Sequence, residues 1–189
     1  FYTLSLHDAL PILFSSGKYI YLATSGLLAR YKYNDKYKKY EVSEINSMTG
    51  NVKSVSVVNG MIYASLNSGL HYISETALNI NYLNNWSIIS GFASGTVVNS
   101  FAVNGDKLYV LTNNGLYLIS GNSAVKQTVF SGEDLYYGYF DAEKFYVSIE
   151  QVDATVIKSV AKALTGTPVI IFGTEEPDSK IFTVMNETV

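Results

Sequence analysis

The stretch VNSFAVNGDKLYVLTNNGLYLIS, residues 98–120, decides the fold of this chain of 189 residues. The Asn-Gly pair at 104–105 supplies the left-handed backbone of a tight hairpin turn, and Asn-Asn-Gly at 113–115 marks a second turn. The apolar run LYVLT between the turns is typical of a strand that is covered on both faces. The pattern predicts three short antiparallel strands over 98–103, 107–112 and 116–120.

The same pattern occurs elsewhere in the chain, as VKSVSVVNGMIYASLNSGLHYIS at 52–74 and ILFSSGKYIYLATSGLLARYKY at 12–33. A weaker copy, LYYGYFDAEKFYVSIEQ, covers 135–151, and DSKIFTVMNETV at 178–189 is similar to the start of another. Three positions recur in phase: the first turn glycine at Gly17, Gly60 and Gly105, the second at Gly26, Gly69 and Gly115, and a strand tyrosine at Tyr21, Tyr63 and Tyr109. Internal repetition of this kind indicates a fold built from stacked units.

Each repeat has room for a fourth, more variable strand, carrying Trp86 in one unit and residues 125–130 in the next. Four short strands per 42–46 residues predict the four-stranded blades of a β-propeller, in an all-β chain with an incomplete ring. A β-sandwich, a β-solenoid and a compact four-bladed ring remain alternatives. The predicted blades lie near 13–51, 52–97, 98–133 and 134–177, with the start of another at 178–189. The predicted core comprises Ile20, Tyr21, Leu22, Ile62, Tyr63, Leu66, Leu108, Tyr109, Leu111, Phe145, Tyr146 and Val147.

Composition narrows the function classes. Charged residues make up 15% of the chain, and the net charge of −3 provides no global attraction to nucleic acid or to an anionic membrane. The chain has no cysteine, which excludes disulfides and thiolate metal sites. No apolar run approaches the roughly 18 residues of a membrane span.

Residues suited to catalysis or metal binding are sparse. His71 occupies the place that Tyr117 takes in the next repeat, so we expect it on a partly exposed strand surface. Glu175, Glu176 and Asp178 could bind calcium, but the neighbouring Pro177 favours a solvated loop. No catalytic triad, phosphate-binding loop or dinucleotide fingerprint occurs, and we predict no enzyme activity and no metal or cofactor.

The most charge-patterned stretch is ARYKYNDKYKKYEV, residues 29–42. Basic side chains among aromatic ones can hold an anionic group while the rings stack on a ligand. The alternative is a hairpin centred on Asn34-Asp35, with one face packed, one face wet, and lysines that discourage edge pairing. The candidate ligand or partner surface is Arg30, Lys32, Lys36, Lys38, Tyr31 and Tyr37.

The units NGMIYASLNSGLHYIS and NGDKLYVLTNNGLYLIS resemble blades of bacterial extracytoplasmic propellers. The resemblance is to two-component-regulator sensor propellers and to PorZ-type propellers associated with type IX secretion in Bacteroidetes, over residues 12–151. The linker signature GLP or GLS of the sensor blades is missing from this chain. The resemblance implies a non-catalytic binding scaffold in the periplasm or at the cell surface.

The opening segment YTLSLHDALPI has another resemblance, to the translation of a sequencing-library adapter of the kind found in metagenomic assemblies. Residues 1–12 are therefore expected to be a non-native leader and the rest a fragment. A genuine short helix, capped by Ser5 and stopped by Pro11, is the alternative.

The sequence predicts a propeller scaffold or sensor module that binds protein or glycan, with the remaining blades of a parent chain as neighbours and with no nucleic acid and no membrane span. A structural spacer within a larger surface protein and a fragment of a propeller enzyme acting on glycans are the alternatives. The enzyme would need acidic side chains at a recurring strand position. The equivalent positions are apolar or hydroxyl-bearing: Ala23 and Thr24, Ala64 and Ser65, Val110 and Leu111.

Overall fold

The computed structural model describes residues 12–151 and 154–174, which form four antiparallel sheets. The first sheet contains β1 (Ile12–Ser16), β2 (Tyr19–Asn34) and β3 (Lys39–Asn51). The second contains β4 (Ser54–Val58), β5 (Met61–Leu66), β6 (Gly69–Ser74) and β7 (Ser87–Ile88). The third contains β8 (Val98–Asn104), β9 (Lys107–Thr112), β10 (Gly115–Ser120) and β11 (Ser123–Lys126). The fourth contains β12 (Asp134–Phe140), β13 (Lys144–Gln151), β14 (Ala154–Ala161) and β15 (Val169–Thr174).

In every sheet the strands lie side by side in chain order, which is the arrangement of a propeller blade. In the part of the chain that is described, the only helix is the single 3-10 turn Leu83–Asn85. The prediction of an all-β fold made of propeller blades is therefore confirmed.

Strand β2 folds back on itself and supplies two rows of the first sheet. Its 16 residues would span about 50 Å if straight. Yet the backbone N–H of Tyr33 donates to the carbonyl of Lys18 at 2.8 Å, so the two ends meet. The reversal lies at Gly26, which has a φ of 79° and interrupts the β2–β3 register. With β1 on the first half of β2 and β3 on the second, this sheet also contains four strand segments.

The chain divides into two compact units, Phe1–Ile89 and Ser90–Val189, each with its own hydrophobic core. The core of the first unit includes Tyr21, Ile62 and Trp86. The core of the second includes Leu111 and Phe145. Each unit therefore buries enough apolar surface to organise its own pair of sheets.

Some predicted details were wrong. Ile20, Leu22 and Tyr146 are only half buried, because each alternates with a buried neighbour along its strand. Trp86 precedes β7 rather than lying in a strand, and its indole N–H donates to the carbonyl of Ile80 at 2.9 Å. The strand predicted over 125–130 is the shorter β11, and the backbone leaves the sheet towards Phe130, which has a φ of 60°. Of the predicted leader, residues 1–11 lie outside the described residues, as do the acidic group at 175–178 and the repeat start at 178–189, whereas Ile12 begins β1.

Candidate functional site

The tip of the β2–β3 hairpin is organised by Asn34. Its side-chain oxygen accepts hydrogen bonds from the backbone N–H groups of Lys36 at 3.0 Å and Tyr37 at 3.3 Å. Its amide nitrogen donates to a carboxylate oxygen of Glu41 across the hairpin at 2.6 Å. Lys38 closes the loop with a φ of 52°. Because Asn favours such local bonds and Lys38 takes the left-handed conformation, the loop turns around the Asn34 side chain and leaves residues 35–38 exposed.

Two acidic side chains neutralise part of the positive charge at this tip. Lys18 donates to Asp35 at 2.5 Å, and Lys39 lies 3.3 Å from Glu41. The hydrogen bond to Asp35 raises the pKa of Lys18. The hydrogen bond from Asn34, and then the contact with Lys39, hold the pKa of Glu41 below its ordinary value. Within residues 12–151 and 154–174, Lys32, Lys36 and Lys38 form no ion pair, so the lysines of the tip outnumber its carboxylates, Asp35 and Glu41.

Tyr37 projects from the loop among these charges. Its side chain is 58% exposed, and the ammonium groups of Lys36 and Lys39 lie 5.1 and 5.6 Å from its ring centroid. Both distances are within the range of cation–π contacts. The ring and the two ammonium groups therefore present a joint aromatic and cationic surface to solvent.

The strands below the tip have two different faces. Lys32 lies opposite Glu41 in the register, and both border a shallow groove of about 380 Å³ that is also lined by Tyr33, Asn34, Asp35, Val42 and Ser43. Tyr31, opposite Val42, is half buried on the other face. Tyr33 and Tyr40 also pair there, with ring centroids 5.1 Å apart in an edge-on arrangement. Tyrosine and lysine alternate along the hairpin, but the aromatic face is not packed throughout, because Tyr40 is 43% and Val42 is 52% exposed.

Arg30 is separated from the rest of the predicted surface. Its side chain is buried, pairs with Glu44, donates to the backbone carbonyl of Glu75 at 2.8 Å, and lies 4.7 Å from the ring centroid of Tyr19. The hydroxyl of Tyr21 donates to the Glu75 carboxylate at 2.6 Å. Burial, and then this hydrogen bond, raise the pKa of Tyr21. These contacts assign Arg30 to the interior of the first unit, while Lys32, Lys36, Lys38 and Tyr37 remain at the surface.

Sequence reasoning missed two contributors to this region. Lys18 reaches the tip only because β2 reverses at Gly26, and Glu75 reaches Arg30 from a position 45 residues along the chain. The periodicity of the hairpin gives no signal for either contact. A sequence signal for Lys18 was available in the predicted turn at Gly26, which brings the β1–β2 turn beside the hairpin.

The expectation that His71 is partly exposed was wrong, since the side chain is 5% exposed. Its Nε2 lies 2.9 Å from the Ser68 hydroxyl, and burial lowers its pKa. The next repeat makes the same contact with other residues, because the hydroxyl of Tyr117 donates to the side-chain oxygen of Asn114 at 3.2 Å. This repetition indicates a turn-stabilising role for the Ser68–His71 pair rather than a catalytic one.

No protein-family model matches the sequence, and no curated protein matches it. Among solved structures, the chain is similar to a COPII outer-coat chain, with a TM-score of 0.63 and 12% identity over 85% of this chain and 48% of that one. It is also similar to the extracellular domain of a regulatory protein from B. thetaiotaomicron. One structure of that domain, described as a one-component system, gives a TM-score of 0.61 and 15% identity, covering 93% of this chain and 24% of that one. Another, described as a hybrid two-component system, gives a TM-score of 0.58 and 14% identity, covering 88% of this chain and 23% of that one.

At these identities the similarity establishes the fold alone. The chain spans about half the length of the COPII chain and about a quarter of the bacterial domain. Over the described residues, no helix is long and apolar enough to cross a membrane, and no three potential metal-ligating side chains cluster.

Proposed function

We propose that this chain is a non-catalytic propeller module of the cell envelope that binds an anionic glycan through the tip of the β2–β3 hairpin. The observation that carries the proposal is the excess of lysines over carboxylates at the tip, together with the exposed ring of Tyr37, which the ammonium groups of Lys36 and Lys39 flank. Sulfate or carboxylate groups of a glycan would pair with the lysines, and the ring would pack against a sugar face.

The cellular location belongs to the same proposal. The structural similarity to extracellular regulatory domains supports an extracytoplasmic sensor module, and the resemblance to sensor and PorZ-type blades agrees with it. The blade limits near 13–51, 52–97, 98–133 and 134–177 are proposed on the sequence repeat. Propellers commonly bind through loops that rigid blades hold in place, and the tip is such a loop.

Binding to heparin and to polygalacturonate, with dextran as the neutral control, tests the proposal. At low salt, the double variant Lys36→Gln/Lys38→Gln should bind the two anionic glycans about threefold to tenfold more weakly than the unmodified chain. Its affinity should also fall less steeply as salt rises, because fewer counterions are released. Lys107→Gln, which removes an exposed lysine in the second unit, is the matched control and should change little.

A second comparison tests the contribution of the Tyr37 side chain. Tyr37→Ala should weaken binding, while Tyr82→Ala, which removes a tyrosine that is 60% exposed outside the hairpin, should not. Equal affinity for dextran and heparin would show that binding does not depend on anionic groups. Unchanged binding by both hairpin variants would show that the tip is not the binding site.

A further inference from the structure

Strand β15 presents an unusual apolar edge. Val169, Ile170, Ile171 and Phe172 follow one another, and each side chain is more than half exposed. The strand pairs with β14 on one side and is the last strand of its sheet, so its other side offers free backbone N–H and C=O groups within the described part of the chain. Exposed apolar edges of this kind are templates for pairing with another strand.

The last strands of the other three sheets are protected. The edge strand β3 carries Lys39, Glu41 and Glu44, and β7 is only two residues long. Strand β11 is covered at its start by Ser90, which accepts a hydrogen bond from Ala124 at 2.8 Å and bridges Ser123. Charges, shortness and cover are the usual means of preventing edge pairing.

Strand β15 has neither a charge nor a described covering segment. No charged residue occurs between Lys162 and Glu175 in the sequence. A bulge at Ile171, between the pairs Lys158–Ile170 and Ile157–Phe172, bends the strand and turns consecutive apolar side chains outward. Pro168, at the start, limits the ladder to the few residues that follow it.

We propose that β15 pairs antiparallel with β15 of a second copy of this chain to form a twofold dimer. The neutral segment is compatible with itself, because no like charges meet when two identical edges align. A twofold contact uses the same patch on both copies and closes, so it buries both edges at once. The short ladder makes the association weak and concentration-dependent. This inference goes beyond glycan binding and does not depend on it, since β15 lies in the other compact unit.

Sedimentation of the full chain from about 10 µM to about 1 mM tests the dimer. We expect a monomer–dimer equilibrium that Ile170→Lys and Phe172→Lys each weaken at least about tenfold, because each places like charges across the pair. Ile45→Lys is the matched control, since Ile45 is 50% exposed on the charged edge strand β3. It should leave the association unchanged.

Disulfide trapping gives a second readout, because the chain has no cysteine of its own. Single variants Ile170→Cys, Ile171→Cys and Phe172→Cys should include at least one that forms covalent dimers on mild oxidation, while Ile45→Cys should not. A chain that stays monomeric at the highest concentration overturns the proposal. So do growth beyond dimers, equal weakening by Ile45→Lys, or trapping at Ile45 as readily as in β15.

Discussion

Tyr109 shows what one repeated tyrosine contributes. Its side chain is 6% exposed, its ring centroid lies 5.0 Å from that of Phe140, and burial raises its pKa. Strand β9 directs the ring into the core of the second unit, where Leu111 also lies. The recurrence of tyrosine in this slot therefore follows from packing, with no ligand required.

We expect Tyr109→Ala to lower the free energy of unfolding by about 3–5 kcal/mol, as for other large aromatic truncations in a core. Urea unfolding measures the change. Tyr137→Ala is the control, because Tyr137 is 46% exposed and its removal creates no cavity. Similar losses for the two variants would show that the assigned strand faces are wrong.

Buried His71 should make stability depend on pH. Its pKa in the folded chain is lowered from 6.5, so below about that pH the unfolded chain binds more protons than the folded one. Stability should therefore fall as the pH drops below 6.5, until the folded pKa is reached. His71→Tyr, which introduces the residue found at the equivalent position 117, should remove this slope in unfolding measured from pH 7.5 to 5. A slope that persists would assign it to another group.

At the scale of the strands and turns, the two turn glycines of each repeat are constrained differently. Gly105, in the β8–β9 turn, has a φ of 62°, and a Cβ there would meet open space. Gly115, at the start of β10, has a φ of 122°, and a Cβ would lie 2.8 Å from the carbonyl oxygen of Phe130. The second position is therefore restricted both by backbone conformation and by a neighbouring chain segment.

This difference predicts unequal effects of alanine. Gly105→Ala should cost about 1 kcal/mol, the usual penalty for a left-handed residue with a Cβ. Gly115→Ala should cost at least about 2 kcal/mol, because the loop at Phe130 must also move. Parallel thermal unfolding of the two variants measures the difference. Equal costs would mean that this loop yields without penalty.

Local signals account for the elements that the sequence predicted well. Turn glycines and apolar runs located β5, β6, β9 and the reversal at Gly26, since both act over a few residues. Burial of Arg30 and His71 could not be predicted in this way. Arg30 is held by Glu75, which is far away in sequence, and His71 lies at a position whose neighbours are set by sheet packing. Exposure along a strand is thus a property of the assembled unit.

For the whole molecule, the two separate cores determine how unfolding can be followed. Trp86, the one tryptophan of the sequence, lies in the core of the first unit, and Phe145 and Leu111 lie in that of the second. Tryptophan fluorescence therefore reports on the first unit, whereas far-UV circular dichroism reports on the strands of both.

We expect Leu111→Ala to shift part of the circular dichroism transition to lower denaturant without moving the Trp86 transition. Ile62→Ala, which truncates a fully buried residue of the first core, should move the Trp86 transition. The physical reason is that each cavity affects the core that contains it. If Leu111→Ala shifted both signals equally, the two units would unfold as one cooperative body.

The turn between the second and third strands of the repeat keeps one backbone geometry with two different side-chain pairs. Ser68 with His71 and Asn114 with Tyr117 join the same two places with unlike chemistry, around Gly69 and Gly115, whose φ angles of 125° and 122° nearly coincide. The backbone therefore fixes where the two side chains meet, and more than one pair of side chains can make the contact. The two pairs should then be exchangeable as pairs. The double variant Ser68→Asn/His71→Tyr should keep more of the stability of the turn than Ser68→Asn alone, which combines His71 with a side chain from the other pair.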